Sequence, residues 1–298
     1  MRVFVTGATG FVGTAVVREL VSVGHQVLGL SRSDAGSASL QAAGAQIHRG
    51  SLDDLASLQA GAAAADAVIH TGFNHDFSRF KENCEADRRI IAAFGDELAG
   101  SDRPFLVTSG TGLLQLARPA TEDDLPNVGS SLISRVATEE AVAAIVERGV
   151  KASLIRLPPS VHGAGDHGFV PMLIARARET GVSAYVGNGV NRWPAVHRFD
   201  AATVYRLALE RRALEPRYHA VAEEGVPFRQ IAELIGRRLD VPVVSKSHEE
   251  AAAHFGWFAH FAGMDSPASS AKTKEWLKWK PNQPGLLEDL DQDTYFAG

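Results

Sequence analysis

The eight residues Thr6-Gly7-Ala8-Thr9-Gly10-Phe11-Val12-Gly13 constrain this chain more than any other segment. They sit between a β-rich run at 2–6 and a helical pattern at 11–23, in which Val12, Val16, Leu20 and Val23 recur at helical spacing. A glycine at position 7 permits a sharp strand-to-helix turn, one at position 10 lets backbone approach a pyrophosphate, and one at position 13 allows close helix–strand packing. The first turn of the helix then offers unpaired N–H groups and the positive end of its dipole to phosphate oxygens. Gly7, Thr9, Gly10, Phe11, Val12 and Gly13 are therefore candidate cofactor-binding residues.

The pattern continues in alternation. Further strand signals fall at 27–30, 45–48, 67–70, 104–108 and 152–157, with helical signals at 52–65, 77–99 and 130–148. Strands separated by helices of this length predict an α/β fold, a Rossmann-type doubly wound parallel sheet. Beyond Pro158 glycine and proline become dense, and strand runs such as 218–221 are short and isolated. The expected division is a dinucleotide-binding domain over 1–157 and a smaller, mainly substrate-binding lobe over 158–298, some of whose elements return to the sheet.

Composition excludes several classes. Thirty basic against thirty-five acidic side chains leave a net charge of −5, which gives no reason to expect nucleic acid or an anionic membrane as partner. One cysteine allows no internal disulfide and no cysteine-rich metal cage, and no HxxxH or HExxH pattern is present, so no metal is expected. No stretch supplies the roughly 18–20 apolar residues of a membrane span, and the N-terminus lacks a cleavage site. A cytoplasmic protein acting on a small molecule is the expectation.

Several motifs, in order, carry a resemblance. The TGxxGxxG spacing, Val68-Ile69-His70-Thr71-Gly72-Phe73, Val107-Thr108-Ser109-Gly110-Thr111, Arg156-Leu157-Pro158-Pro159-Ser160-Val161-His162-Gly163, Val196-His197-Arg198-Phe199-Asp200 and Trp279-Lys280-Pro281 follow one another along almost the whole chain. Together they resemble the extended and atypical short-chain dehydrogenase/reductases, the NAD(P)-dependent epimerase/dehydratase-like group. The resemblance implies contacts to cofactor from Ser51 and Leu52 after the third strand, from Thr71, Gly72 and Phe73 after the fourth, and from Pro158 after the sixth. It also implies a homodimer through the long helices near 77–99 and 130–148.

Cofactor choice is made at the end of the second strand, where an acidic residue accepts from ribose hydroxyls and an arginine pairs with a 2′-phosphate. Leu30-Ser31-Arg32-Ser33 stands there, so Ser31 and Arg32 favour NADP(H) over NAD(H), with Asp34 too far into the loop to take the ribose.

The chemistry is less familiar. The Tyr-xxx-Lys pair typical of such enzymes is absent: none of the four tyrosines, Tyr185, Tyr205, Tyr218 and Tyr295, begins such a motif. The 130–148 segment places Ser131 at the tyrosine position and Arg135 at the lysine position, where arginine can bind the cofactor ribose but does not deprotonate. Proton transfer is then expected from Ser109, Thr111, His75 or His162. Asn74, His167, Asn191, Arg192 and Trp193 are candidate substrate contacts, Arg192 for an anionic group and Trp193 as a wall. Phe255-Gly256-Trp257-Phe258 is either helix packing or the apolar lid of a cleft. The leading expectation is an NADP(H)-dependent oxidoreductase acting on a small, fairly apolar carbonyl or alcohol. The alternatives are a non-catalytic NADP(H)-binding sensor, and a sugar-nucleotide epimerase/dehydratase-like enzyme that would use Arg176, Arg178 and Arg192.

Overall fold

The structure is a computed structural model that describes residues 1–297. The first half alternates β1 (Arg2–Thr6), α1 (Phe11–Ser22), β2 (Gln26–Ser31), α2 (Asp34–Ala42), β3 (Gln46–Arg49), α3 (Leu55–Ala63), β4 (Ala67–His70), α4 (Phe80–Leu98), β5 (Phe105–Gly110), α5 (Ala137–Glu147) and β6 (Ala152–Leu157). The remainder runs β7 (Ser160–His162), α6 (Phe169–Thr180), β8 (Ser183–Val186), β9 (Arg192–His197), α7 (Arg198–Glu210), β10 (Arg217–His219), β11 (Glu223–Pro227), α8 (Phe228–Leu239), β12 (Val243–Lys246) and α9 (His248–Phe255), followed by short helices.

Seven strands form one parallel sheet in the order β10-β6-β5-β4-β1-β2-β3. Central strands read as continuous apolar runs because helices cover both faces. One face packs Val3, Val5 and Ile69 against α1 and α7, and the other packs Phe4, Val68 and Phe105 against α3, α4 and α5. The strand β10, from beyond residue 158, closes one edge of this sheet. A three-stranded sheet (β11-β9-β7) and a two-stranded one (β12-β8) build the second core, around Trp193, Phe228 and Ile231.

Three helices are shorter than their apolar periodicity suggests. The 52–65 signal becomes Leu55–Ala63 because Asp54 caps it, accepting from the Ser57 N–H at 3.0 Å. The 77–99 signal divides into a 3-10 turn, Phe77–Arg79, and α4; Asp76 caps the turn by accepting from the Ser78 N–H at 3.0 Å. In the 130–148 signal only a 3-10 turn at Ser134–Val136 and α5 are helical. Glu140 takes the Ser130 N–H and hydroxyl at 2.9 and 2.7 Å, folding the preceding segment back against α5, so the exposed Ser131 precedes the helix.

Candidate functional site

Strand order reverses between β1 and β4, and open α/β sheets bind ligands at such a point, outside the carboxyl ends of the strands. The loops leaving these two strands touch. Gly7 has φ +65°, and a Cβ on it would lie 2.6 Å from the Gly72 nitrogen. A Cβ on Gly13 would lie 2.0 Å from the Gly7 carbonyl oxygen. Gly10 is different: a Cβ there would meet only Gly7 O, at 3.2 Å, and would otherwise project into open space. Its N–H closes the turn onto Gly7 O at 2.8 Å, and it caps α1 without a side chain. Among the described residues, the N–H groups of Phe11, Val12 and Gly13 find no protein acceptor. An open cradle faced by unpaired donors fits the pyrophosphate of a dinucleotide.

Around this cradle, Thr71 donates its hydroxyl to Thr6 O at 2.8 Å, and the Leu52 side chain closes over Gly72. Ser51 Oγ accepts from the Asp53 N–H at 3.3 Å and shapes the turn after β3. The Thr9 methyl lies against Gly36 in the first turn of α2. At the end of β2, buried Ser31 donates to Ser33 O at 3.0 Å, whereas Arg32 is exposed and, among the described residues, joins no ion pair. Asp34 opens α2 instead of ending β2, and its carboxylate pairs with Arg49 at 3.1 Å. Ser31 and Arg49 are register partners, so this corner presents arginine and hydroxyl groups.

On the other side of the cradle lies a buried polar relay. Thr6 Oγ1 meets His70 Nδ1 at 2.5 Å, His70 Nε2 meets Asp87 at 2.9 Å, and Arg135 donates to the second Asp87 oxygen at 2.7 Å. Thr138 also bonds Asp87 and Arg135, and Arg135 donates to Thr108 O at 3.2 Å. Burial alone would raise the Asp87 pKa, but the Arg135 guanidinium and His70 hold it well below the usual carboxylate range. The guanidinium of Arg135 lies 4.1 Å from the centre of the Phe73 ring, at the loop after β4. His75 is exposed and sets its ring edge-on to Phe73 at 5.1 Å. Desolvation, then the charges of Arg135 and His167, lowers its pKa below the ordinary histidine value. The exposed His167 rests edge-on against Phe11 at 5.7 Å, and Arg198 lies 4.8 Å above the same ring. Asn74 accepts from the Asp76 N–H at 3.0 Å, which makes it a turn-former at the entrance to α4.

Other expected site residues lie elsewhere in the bonding scheme. The Ser109 hydroxyl donates at 2.7 Å to Glu139, which is locked by the fully buried Arg156, so this proton is already committed. Thr111, also buried, has a hydroxyl with no partner. His162 is buried, bonded through Nδ1 to Asp289 at 2.9 Å and packed edge-on against His197. Trp193, expected as a cleft wall, is 0 % exposed and donates its indole N–H to Phe261 O; it is a core residue. Asn191 donates to Ala262 O and Met264 O, and Arg192 forks onto Asp265 at 3.0 and 2.8 Å. All three side chains thus bond to the 261–265 segment. Pro158 is buried after β6. Tyr205 is buried on Thr108 at 2.7 Å, and burial pushes its pKa up. Among the described residues no group of three or more His, Cys, Asp or Glu is placed to hold a metal, and no helix is long and apolar enough to cross a membrane.

His70 and Arg198 fall inside the motif runs without a site role of their own, and Asp87 lies outside them; its one sequence signal is a carboxylate on the buried face of α4.

Comparison with known proteins agrees with this geometry. Residues 3–221 match the model of the NAD dependent epimerase/dehydratase family. An uncharacterized protein of Schizosaccharomyces pombe is 50 % identical over 296 residues, covering 99 % of this chain and 100 % of that one. A 2-alkyl-3-oxoalkanoate reductase of Stenotrophomonas maltophilia is 30 % identical over 268 residues, covering 83 % of this chain and 78 % of its own. Among solved structures, DesIV (dTDP-glucose 4,6-dehydratase) from Streptomyces venezuelae with NAD and TYD bound superimposes with a TM-score of 0.79 at 17 % identity, over 99 % of this chain and 97 % of that one.

Proposed function

Because the chain belongs to the NAD dependent epimerase/dehydratase family, and is thus an NAD(P)-dependent enzyme of the epimerase, dehydratase and reductase type, we propose that it is an NADP(H)-dependent reductase of small, fairly apolar carbonyls. The observation that carries the cofactor choice is the unpaired, exposed Arg32 at the end of β2, with Asp34 tied to Arg49. Arg32→Ala is expected to weaken NADPH binding by roughly ten- to a hundredfold, the worth of one or two charge-assisted hydrogen bonds. NADH binding should hardly change. A fluorescence titration with both nucleotides decides it, and equal effects on the two would reverse the assignment.

The nicotinamide, when bound, exchanges a hydride with the carbonyl carbon. This chain's part is to hold the dinucleotide along the glycine loop, orient the substrate and deliver a proton to the carbonyl oxygen. His75 is the proposed donor, since its ring borders the Phe73–Arg135 corner at the loop after β4. Its protonated form is the acid, so kcat/KM for reduction should fall as pH rises through a pKa below the ordinary histidine value. Oxidation of the alcohol should rise over the same range. His75→Gln is expected to remove that limb and slow reduction by about a hundredfold or more, while His162→Gln retains turnover. Normal rates for His75→Gln at every pH would eliminate the histidine donor.

A sugar-nucleotide substrate is less well supported, because the arginines it would need are engaged. Arg176 bonds His254 O and Glu179, Arg178 donates to Phe296 O at 2.6 Å, and Arg192 is paired with Asp265. The relative that reduces an oxoalkanoate, by its name, points the same way. Consumption of NADPH with simple aldehydes and ketones tests the reading; tight binding with no consumption would favour the sensor instead.

A further inference from the structure

We infer that Tyr295 and Asp166 are positioning residues: together they form a proton-dependent latch that holds the 163–168 loop against the glycine loop and slows release of the nucleotide. The inference rests on nucleotide binding at the cradle and not on the substrate. The loop follows β7 and meets the start of α1 in two ways. His167 lies edge-on to Phe11 at 5.7 Å, and Ala164 O accepts at 3.0 Å from Arg198, whose guanidinium lies over the same ring. Phe11 carries one of the unpaired N–H groups of the cradle. Gly163, Ala164 and Gly165 bring almost no side chain, so the loop stays where its backbone is gripped.

The grip comes from the C-terminal segment. Tyr295, in the 3-10 turn Asp293–Tyr295, accepts the Gly163 N–H on its phenol oxygen at 2.9 Å. The turn is fastened from behind, since Arg178 donates to Phe296 O at 2.6 Å and Arg238 lies 4.9 Å from the Phe296 ring. The phenol has one proton and three oxygens within reach: Asp289 Oδ2 at 3.1 Å, Gly163 O at 3.3 Å and Asp166 Oδ2 at 3.4 Å. Asp289 is the nearest. Burial works to raise its pKa, but the bond from His162 and the phenol hold it below the usual carboxylate value, so it is the acceptor. Burial pushes the phenol's own pKa up, and its proton stays in place. An ionised Asp166 then faces the phenol oxygen with no proton between them. A protonated Asp166 supplies one: Oδ2 donates to the phenol while Oδ1 keeps the Gly168 N–H at 2.7 Å. Burial raises the Asp166 pKa to about 6, against the Gly168 bond and the charges of His162 and His167. Asp289, Arg198 and, beside Gly163, His197 are the other ionisable groups around the loop. The latch is therefore made below about pH 6 and lost as pH rises through that value.

Stopped-flow release of NADPH from the full chain, at about pH 5 and about pH 7.5, compares wild type with Asp166→Asn and Tyr295→Phe. Asparagine copies the protonated carboxyl, because its amide donates to the phenol and its carbonyl keeps the Gly168 N–H. Asp166→Asn should match wild type at the lower pH and release NADPH about five- to tenfold more slowly at the higher, the worth of one hydrogen bond. Tyr295→Phe should release it about five- to tenfold faster than wild type at the lower pH. At the higher pH its difference should shrink, since only the Gly163 bond remains to be lost. Ratios taken at each pH cancel the titration of the nucleotide's own phosphates. Equal rates in all three proteins, or ratios that do not change with pH, overturn the latch, the second result leaving these contacts merely structural. Hydrogen exchange of the Gly163 amide in the nucleotide-free protein is the second readout, with protection expected to follow the same pattern. If NADPH does not bind, the cofactor reading fails separately and Gly163 exchange alone decides the latch.

Discussion

Gly13→Ala should lose nucleotide binding by about a hundredfold or more, the penalty expected when binding groups are displaced by about 1 Å. The added Cβ would sit 2.0 Å from Gly7 O and 2.7 Å from Gly7 C, closer than the 3.0 Å below which something must shift. The obstacle is backbone, so no side-chain rotation relieves it. The turn that holds the Gly10 N–H on Gly7 O must open, and the first-turn donors of α1 move with it. Overpacking of this kind also costs about 1–3 kcal/mol of stability. Gly24→Ala separates the two effects. Gly24 has φ +86° and no atom near its absent Cβ, so alanine there is strained by about 1–2 kcal/mol but leaves the loop after β1 intact. Titration with NADPH and a thermal melt of both variants are the measurements. Undiminished affinity in Gly13→Ala would mean that the loop does not hold the nucleotide.

That loop was legible in the sequence because its physics is local. Three glycines, a strand before and a helix after lie within a couple of dozen residues, and each has one stereochemical duty. The sheet was legible for a related reason: Val3, Phe4, Val5, Val68 and Ile69 are buried on both faces, and such strands read as plain apolar runs. The polar site was much less so. Arg135 acquires its setting from Asp87, 48 positions earlier, and Asp87 from His70, 17 positions before that. Nothing in the spacing announces such a relay, which exists only once α4, α5 and β4 have packed. Arg192 and Trp193 show the same point in reverse. They look like a binding stretch along the chain, yet Asp265 and Phe261, about seventy residues on, absorb the charge and the indole N–H. Helix starts were overextended where a side chain, Asp54 or Glu140, captured backbone N–H groups and delayed the helix.

The largest loss of stability should come from Glu139→Ala. Glu139 holds Arg156 by two bonds, from Nε at 2.8 Å and Nη2 at 2.6 Å, and takes the Ser109 hydroxyl at 2.7 Å. Arg156 is 0 % exposed, and its remaining contacts, Asp124 O at 2.9 Å and His219 Nε2 at 3.3 Å, carry no compensating negative charge. Burial, reinforced by Arg156, lowers the His219 pKa to about 3, so the ring stays neutral beside the guanidinium. Removing the carboxylate strands a buried cation, a loss of about 3–5 kcal/mol, or about 5–8 °C in Tm. Glu139→Leu with Arg156→Met should recover most of it, because the pair's attraction chiefly offsets its own desolvation. The same network decides the role of Ser109. As a donor already spent on Glu139, Ser109→Ala should lower stability by about 1 kcal/mol and leave turnover within about twofold. Loss of turnover with stability intact would instead return Ser109 to the catalytic residues, and Glu139 would then be the group that positions it.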